Sequence, residues 1–201
     1  MRLKATDGAP KVWLTDPEIE QLQRAAASYR DDIIIQLGAH VGLRAFEMPQ
    51  IQPRHVKRTD TGTSTTRRLR VPRGKDTSNS GGKPRDAFLP KNVEMALSRY
   101  AKRENVAPRE PYIDLSERGV RAVVKRTAAA AADETGDPDY RHVSSHDLRR
   151  RFAQRLLVDN DVNPRVVMQV GGWESFEAIE PYLNEPTPEV VDEALAEAGL
   201  V

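Results

Sequence analysis

Between Gln52 and Pro90 the chain stops reading as helix, and this interruption limits the folds open to it. The stretches TSTTRRLRVP (63–72) and RDAFLP (85–90) have the length and residue types of short strands, and RGKDTSNSGGKP between them has the Gly, Ser and Asn content of a hairpin loop. The texture on either side is helical. Leu14-Thr15-Asp16-Pro17 is a capped start with proline in the first turn, followed by apolar Ile19, Leu22 and Ala26. DDIIIQLGAHVGL reads as a buried helix ending near Gly42, and RAFEMPQI as a short helix cut by Pro49. Further helices are predicted over 92–104, over 116–132 and from Ser144 to about Asp159. The expectation is a mainly α chain with a small antiparallel β-sheet inserted, an α+β fold, and 201 residues suffice for one such unit.

The net charge of +1 hides a segregated pattern. From Gln52 to Arg85 ten Lys and Arg face two Asp; from Arg141 to Arg155 five Arg face Asp147; from Glu174 to Val201 there are eight acids and no base. Two basic blocks and an acidic tail suit a body that binds a polyanion, since clustered cations release counterions from phosphates; a solvated charged surface reads equally from this feature alone. The chain has no cysteine, which excludes disulfides and thiolate metal sites and fits a reducing, cytoplasmic setting. No apolar stretch has the length of a membrane span or a signal-peptide core.

SSHDLRRRFAQ (144–154) concentrates the chemistry. Ser144 and Asp147 have capping-box spacing, so His146 and Arg149 fall in the first turn or so of a helix. At about 100° per residue, Leu148, Phe152, Ala153, Leu156 and Leu157 form one apolar arc. Arg149 lies near its middle and His146 at its edge, while Arg150, Arg151 and Arg155 point the other way. An inward guanidinium is costly unless it meets an anion near the helix N-terminus, snorkels to solvent or pairs with an internal carboxylate. Elsewhere, GLRAFE sets Arg44 just beyond the buried helix with Glu47 three residues on, able to orient it. GGWESFEAIEPYLN sets Trp173 nine residues before Tyr182; each alone reads as ordinarily as a packing residue.

Taken together, Arg44 in G-L-R-x-x-E, His146 and Arg149 in H-D-L-R, the G-G-W of Trp173, and Tyr182, in this order with a basic hairpin between, resemble the catalytic domain of tyrosine site-specific recombinases, the phage-integrase and Xer group. The resemblance spans about Leu14 to Asn184. Its acidic stretches are also similar to integrase-like proteins of haloarchaea and their viruses or plasmids.

The resemblance implies that Tyr182 cleaves one DNA strand to a 3′-phosphotyrosine, which a 5′ hydroxyl then attacks. Arg44 and Arg149 would fork onto the phosphate, His146 would accept the phenol proton, and Trp173 would donate its indole N–H. The leaving 5′ oxygen would take a proton from a hairpin lysine, Lys75 in preference to Lys83. Arg54, Arg67, Arg68, Arg73, Lys83 and Arg150 are the expected DNA contacts. Partners would be a double-stranded recombination site and further copies of the chain, four on two sites, and neither metal nor ATP is implied as cofactor. The expected organisation is a catalytic domain over 1–186 and an acidic tail helix over 187–201, docked on a neighbouring protomer or folded back. Relatives carry a separate N-terminal clamp domain, so the chain reads as an excised or minimal unit. Pro181 biases Glu180 away from helical geometry and would place Tyr182 on a hinge. A type IB topoisomerase-like enzyme, or a helix-turn-helix DNA-binding protein over 146–172 without chemistry, are the rival readings.

Overall fold

The computed structural model describes residues 2–4, 10–60, 62–74, 83–182, 195–196 and 199. A two-stranded antiparallel ribbon, β1 (Arg2–Lys4) with β2 (Lys11–Trp13), leads into α1 (Asp16–Arg24) and α2 (Tyr29–Val41). A three-stranded antiparallel sheet of β3 (Val56–Asp60), β4 (Thr65–Val71) and β5 (Arg85–Phe88) follows, in that order across the sheet. Then come α3 (Lys91–Arg103), α4 (Glu117–Thr135), α5 (Ser145–Leu157) and α6 (Pro164–Gly171). The mainly helical reading with a small inserted sheet is therefore correct.

Local signals explain most boundaries. The backbone N–H of Thr15 donates to Glu18 at 2.7 Å and that of Ser144 to Asp147 at 2.9 Å, closing the capping boxes that open α1 and α5. α2 is buried on nearly every side, as its run of Ile33, Ile34, Ile35 and Leu37 requires, and stops at Gly42, whose φ of 74° suits glycine. A side chain at Gly42 would also meet Phe152, whose Cγ lies 2.7 Å from the position of a Cβ, so α5 packs directly on the end of α2.

The core has two parts that meet along α5. The larger joins α1–α4, the inward face of the sheet and Leu148; the smaller gathers Phe152, Ala153, Leu157, Val167, Trp173 and Ile179 around α6. The site described below lies where they join.

Three expectations need correction. The sheet has a third strand, β3, in VKRTD, whose charge and lack of a buried alternation concealed it, and RAFEMPQI forms a turn and a 3-10 helix at Met48–Gln50 instead of an α-helix. The outward face assigned to Arg150, Arg151 and Arg155 is also largely buried. Arg150, 8% exposed, donates to Val12 O at 3.0 Å, pairs with Asp147 and lies over the Trp13 ring at 5.3 Å. Arg151 bonds Asp16 at 2.9 Å and Asp159 at 2.6 Å. Arg155 contacts His40 Nδ1 at 2.9 Å; burial and then the Arg155 charge push His40 down to about 4, leaving a neutral ring to accept this bond. The β2 ribbon and α1, for which the amphipathic arc made no provision, cover that side of α5. Arg150 is thus a largely buried cation held by internal acceptors, not the outward-facing one expected.

Candidate active site

Arg44 follows the left-handed cap at Gly42, which turns the chain sharply out of α2. Its backbone N–H donates to Glu47 Oε2 at 2.8 Å and its Nη1 to Oε1 at 3.1 Å, so a single carboxylate three residues on holds both ends of the residue. Glu47 is fully buried. Burial pushes its carboxyl upward, but hydrogen bonds and charge from Arg85, the charge of Arg149 and the Arg44 amide outweigh this and hold it below the usual carboxylate range.

Arg149 projects inward from α5 and is 4% exposed. Nη1 donates to Gly42 O and Nη2 to Gly171 O at 2.8 Å, while the guanidinium carbon stands 3.8 Å from the centroid of Trp173. Burial and then Arg44 push its pKa well down, with Glu47 opposing. Among the described residues no carboxylate bonds it directly: main-chain carbonyls hold it and an indole face covers it.

Trp173 arrives through the GG pair. α6 ends at Gly171, Gly172 reverses the chain at φ 71°, and a Cβ on Gly171 would collide with the Trp173 ring. The indole stacks on Phe152 at 6.4 Å and meets Tyr182 edge-on at 5.7 Å. It packs in the smaller core and also lines the cleft. Tyr182 ends a 3-10 turn, Glu180–Tyr182, with its backbone N–H bonded to Ile179 O at 2.9 Å. Pro181 thus fits a tight 3-10 turn, which keeps Glu180 in helix-like backbone despite the proline that follows.

These residues share one cleft of about 1400 Å³. Arg44, Arg68, Arg70, Lys83, Arg85, Arg121, His146, Arg149, Trp173 and Tyr182 line it, with Asp86, Glu117 and Glu174 among them. His146 opens to the cleft from the first turn of α5; partial burial and then the Arg121 charge push it below the ordinary histidine range, only partly countered by Asp147. Arg54, Arg67 and Arg73 are not cleft-lining, and Arg67 is held by Glu94 at 2.7 Å. Lys75 and nearly all of the expected 187–201 tail lie outside the described residues. Sequence reasoning missed Arg121 and, more consequentially, Arg85. Arg85 is in phase with buried Ala87 along β5 and with buried Leu89 just beyond it, which is the signal that it points inward.

Among the described residues no cluster of His, Asp and Glu could hold a metal, and no helix is long and apolar enough to cross a membrane. The cleft thus gathers two guanidiniums fixed by main-chain carbonyls, a histidine and a tyrosine along one lining, a set able to receive an anion.

Residues 12–187 match the phage integrase family, and the chain belongs to it. Its fold is shared with solved recombinases. XerA recombinase is 23% identical, with 93% of this chain and 65% of that one aligned at a TM-score of 0.62. The Tn1549 transposon integrase in complex with transposon right end DNA is 17% identical over 95% of this chain and 67% of that one, TM-score 0.66. XerH bound to difH substrate in a pre-cleavage complex is 16% identical over 95% and 55%, TM-score 0.66. The chain therefore spans about two thirds of the first two and about half of the third. No curated protein sequence matches it significantly.

Proposed function

We propose that this chain is the catalytic part of a site-specific DNA recombinase that cuts and rejoins strands through Tyr182. The observation that carries the reading is the convergence of Arg44, Arg149, His146 and Tyr182 on one cleft, with both guanidiniums pinned from behind. Two donors fixed by carbonyls need little reorganisation when charge builds on non-bridging phosphate oxygens. The Tyr182 oxygen attacks phosphorus, its proton passes to His146, and the bond from phosphorus to the 5′ oxygen breaks. That oxygen takes a proton from Lys75, or from Lys83, which lines the cleft. A 5′ hydroxyl from a partner duplex reverses the step and releases Tyr182. His146 is suited to accept the proton because its lowered pKa keeps it neutral near pH 7. Trp173 supports Arg149 through its ring face and stands beside Tyr182. Arg68, Arg70, Arg121 and Lys83 line the path of the DNA backbone. Four protomers on two sites would carry out exchange, and the 187–201 tail would link neighbours.

The test uses a library of nicked duplexes of randomised sequence, in which cleavage beside the nick traps the adduct. Wild-type protein should give a protease-sensitive covalent complex on a denaturing gel, and Tyr182→Phe none. An undiminished adduct with Tyr182→Phe removes Tyr182 as nucleophile; no adduct with wild type removes the phosphotyrosyl route. Captured sites that then yield four-way junctions separate recombination from relaxation of a single duplex.

A further inference from the structure

Three successive carbonyls at the C-terminal end of α6 each accept a hydrogen bond from a different guanidinium. Val170 O takes Arg85 Nε at 3.2 Å, Gly171 O takes Arg149 Nη2 at 2.8 Å, and Gly172 O takes Arg44 Nη2 at 2.9 Å. Carbonyls here lack intrahelical partners, and the helix end carries negative partial charge, so three cations are stabilised side by side. Two of the three are the proposed phosphate ligands.

Arg85 differs from them in its other contacts. Nη1 and Nη2 fork onto the two oxygens of Glu47 at 2.6 and 2.8 Å, the same carboxylate that orients Arg44. It is 9% exposed and reaches this position from the inward face of the sheet, opposite Val71. Gly172 leaves it room: a Cβ there would stand 2.8 Å from Arg85 Cδ and 3.0 Å from Nε. Without Arg85, the fully buried Glu47 carboxylate would keep, among the described residues, only Arg44 as a direct partner and would draw its guanidinium inward, away from the cleft.

We propose that Arg85 is a positioning residue for strand cleavage, fixing the Arg44 guanidinium through Glu47 and the turn that carries Trp173 through Val170. The inference rests on the phosphotyrosyl reading above. It gives the sheet a second task besides facing DNA, because the strand after the hairpin then sets the geometry of the phosphate pocket. A pair that only fastened the sheet to α6 would change the folded fraction and leave cleavage per folded molecule untouched.

The test compares Arg85→Gln, Arg85→Lys, Glu47→Gln and the double Glu47→Gln/Arg85→Gln in the full chain. Adduct formation is measured at saturating nicked DNA, alongside DNA affinity and thermal melting. Arg85→Gln should slow cleavage on the order of 100-fold, the effect of misplacing a catalytic group by about 1 Å. DNA affinity should stay within about threefold, because a buried cation contributes little to counterion release. Arg85→Lys, with a charge but no fork, should fall between, and the double variant should be no slower than the slower single. If Arg85→Gln does not fold, Arg85→Lys and the uncharged double carry the comparison. Wild-type rates per folded molecule in those two, or losses that multiply in the double, overturn the assignment while a Tyr182 adduct persists. Absence of any wild-type adduct overturns the parent reading and this one with it.

Discussion

Gly171→Ala tests whether the packing of Trp173 sets both stability and chemistry. Gly171 ends α6 and its φ lies outside the left-handed region, so the backbone itself would accept alanine. The obstacle is space: a Cβ would lie 3.0 Å from Trp173 Cη2 and nearer still to two other ring carbons. Optimal carbon contacts are about 3.5–4.0 Å, so the ring must retreat by at least about 1 Å. It has little freedom to do so, stacked on Phe152, under Arg149 and against Tyr182. Overpacking of this kind costs about 1–3 kcal/mol, which for a chain of this size lowers Tm by roughly 2–12 °C. The same displacement loosens Arg149 and moves Tyr182, so cleavage of nicked DNA should fall by about 100-fold, beyond what the unfolded fraction explains. Thermal melting and the covalent-adduct rate, measured on the same preparation, read the two effects separately. Because the clash is with the indole, Gly171→Ala should add little to the destabilisation of Trp173→Ala. Wild-type melting and wild-type cleavage in Gly171→Ala would refute the reasoning, as would fully additive losses in the double variant.

Arg150→Ala should lower stability by about 1.5–3 kcal/mol, since Asp147 loses its charged partner, although it keeps the Ser144 and Val12 amides, and Val12 O loses a donor, yet leave DNA affinity within about twofold. Lost DNA binding with an unchanged melting curve would restore it as a backbone contact. The acid limb of the cleavage profile should lie below the ordinary histidine value near 6.5, because a lowered pKa keeps His146 neutral, and able to accept a proton, to lower pH. Arg121→Gln removes the largest charge acting on that ring after burial, so it should shift the limb upward. A limb that stays in place, or moves down, excludes Arg121 as the tuning charge.

How much of this was legible depended on whether a residue's partners lie close in sequence. Capping boxes, the left-handed stop at Gly42 and the pairing of Arg44 with Glu47 span three residues or fewer, and local pattern reads them correctly. The convergence of Arg44, His146, Arg149, Trp173 and Tyr182 was legible only as an ordered set, since each alone has an ordinary explanation. Arg85 was hidden in a basic block, although its strand phase marks it as inward. Charge counting weighs Arg73 and Arg85 alike, yet one is exposed and the other forks onto a buried carboxylate. β3 escaped because all its residues after Val56 are exposed, leaving no alternation to read.

The run of Arg149, Arg150 and Arg151 shows why periodicity placed the apolar arc and Arg149 of α5 correctly but not its other face. Consecutive helical residues point about 100° apart, so three adjacent arginines must seek three different surroundings. Arg149 finds the ends of α2 and α6, Arg150 finds β2 and Asp147, and Arg151 finds Asp16 and Asp159. A buried guanidinium is tolerable only where acceptors are already fixed, so α5 reaches its burial only when the β2 ribbon, α1 and α6 are all in place. Arg149, the proposed phosphate ligand, therefore inherits its rigidity from a helix whose neighbours are held by charge on two further sides. An amphipathic arc assumes one wet face; α5 has almost none, and the cleft opens at its N-terminal end, at His146, not along its side.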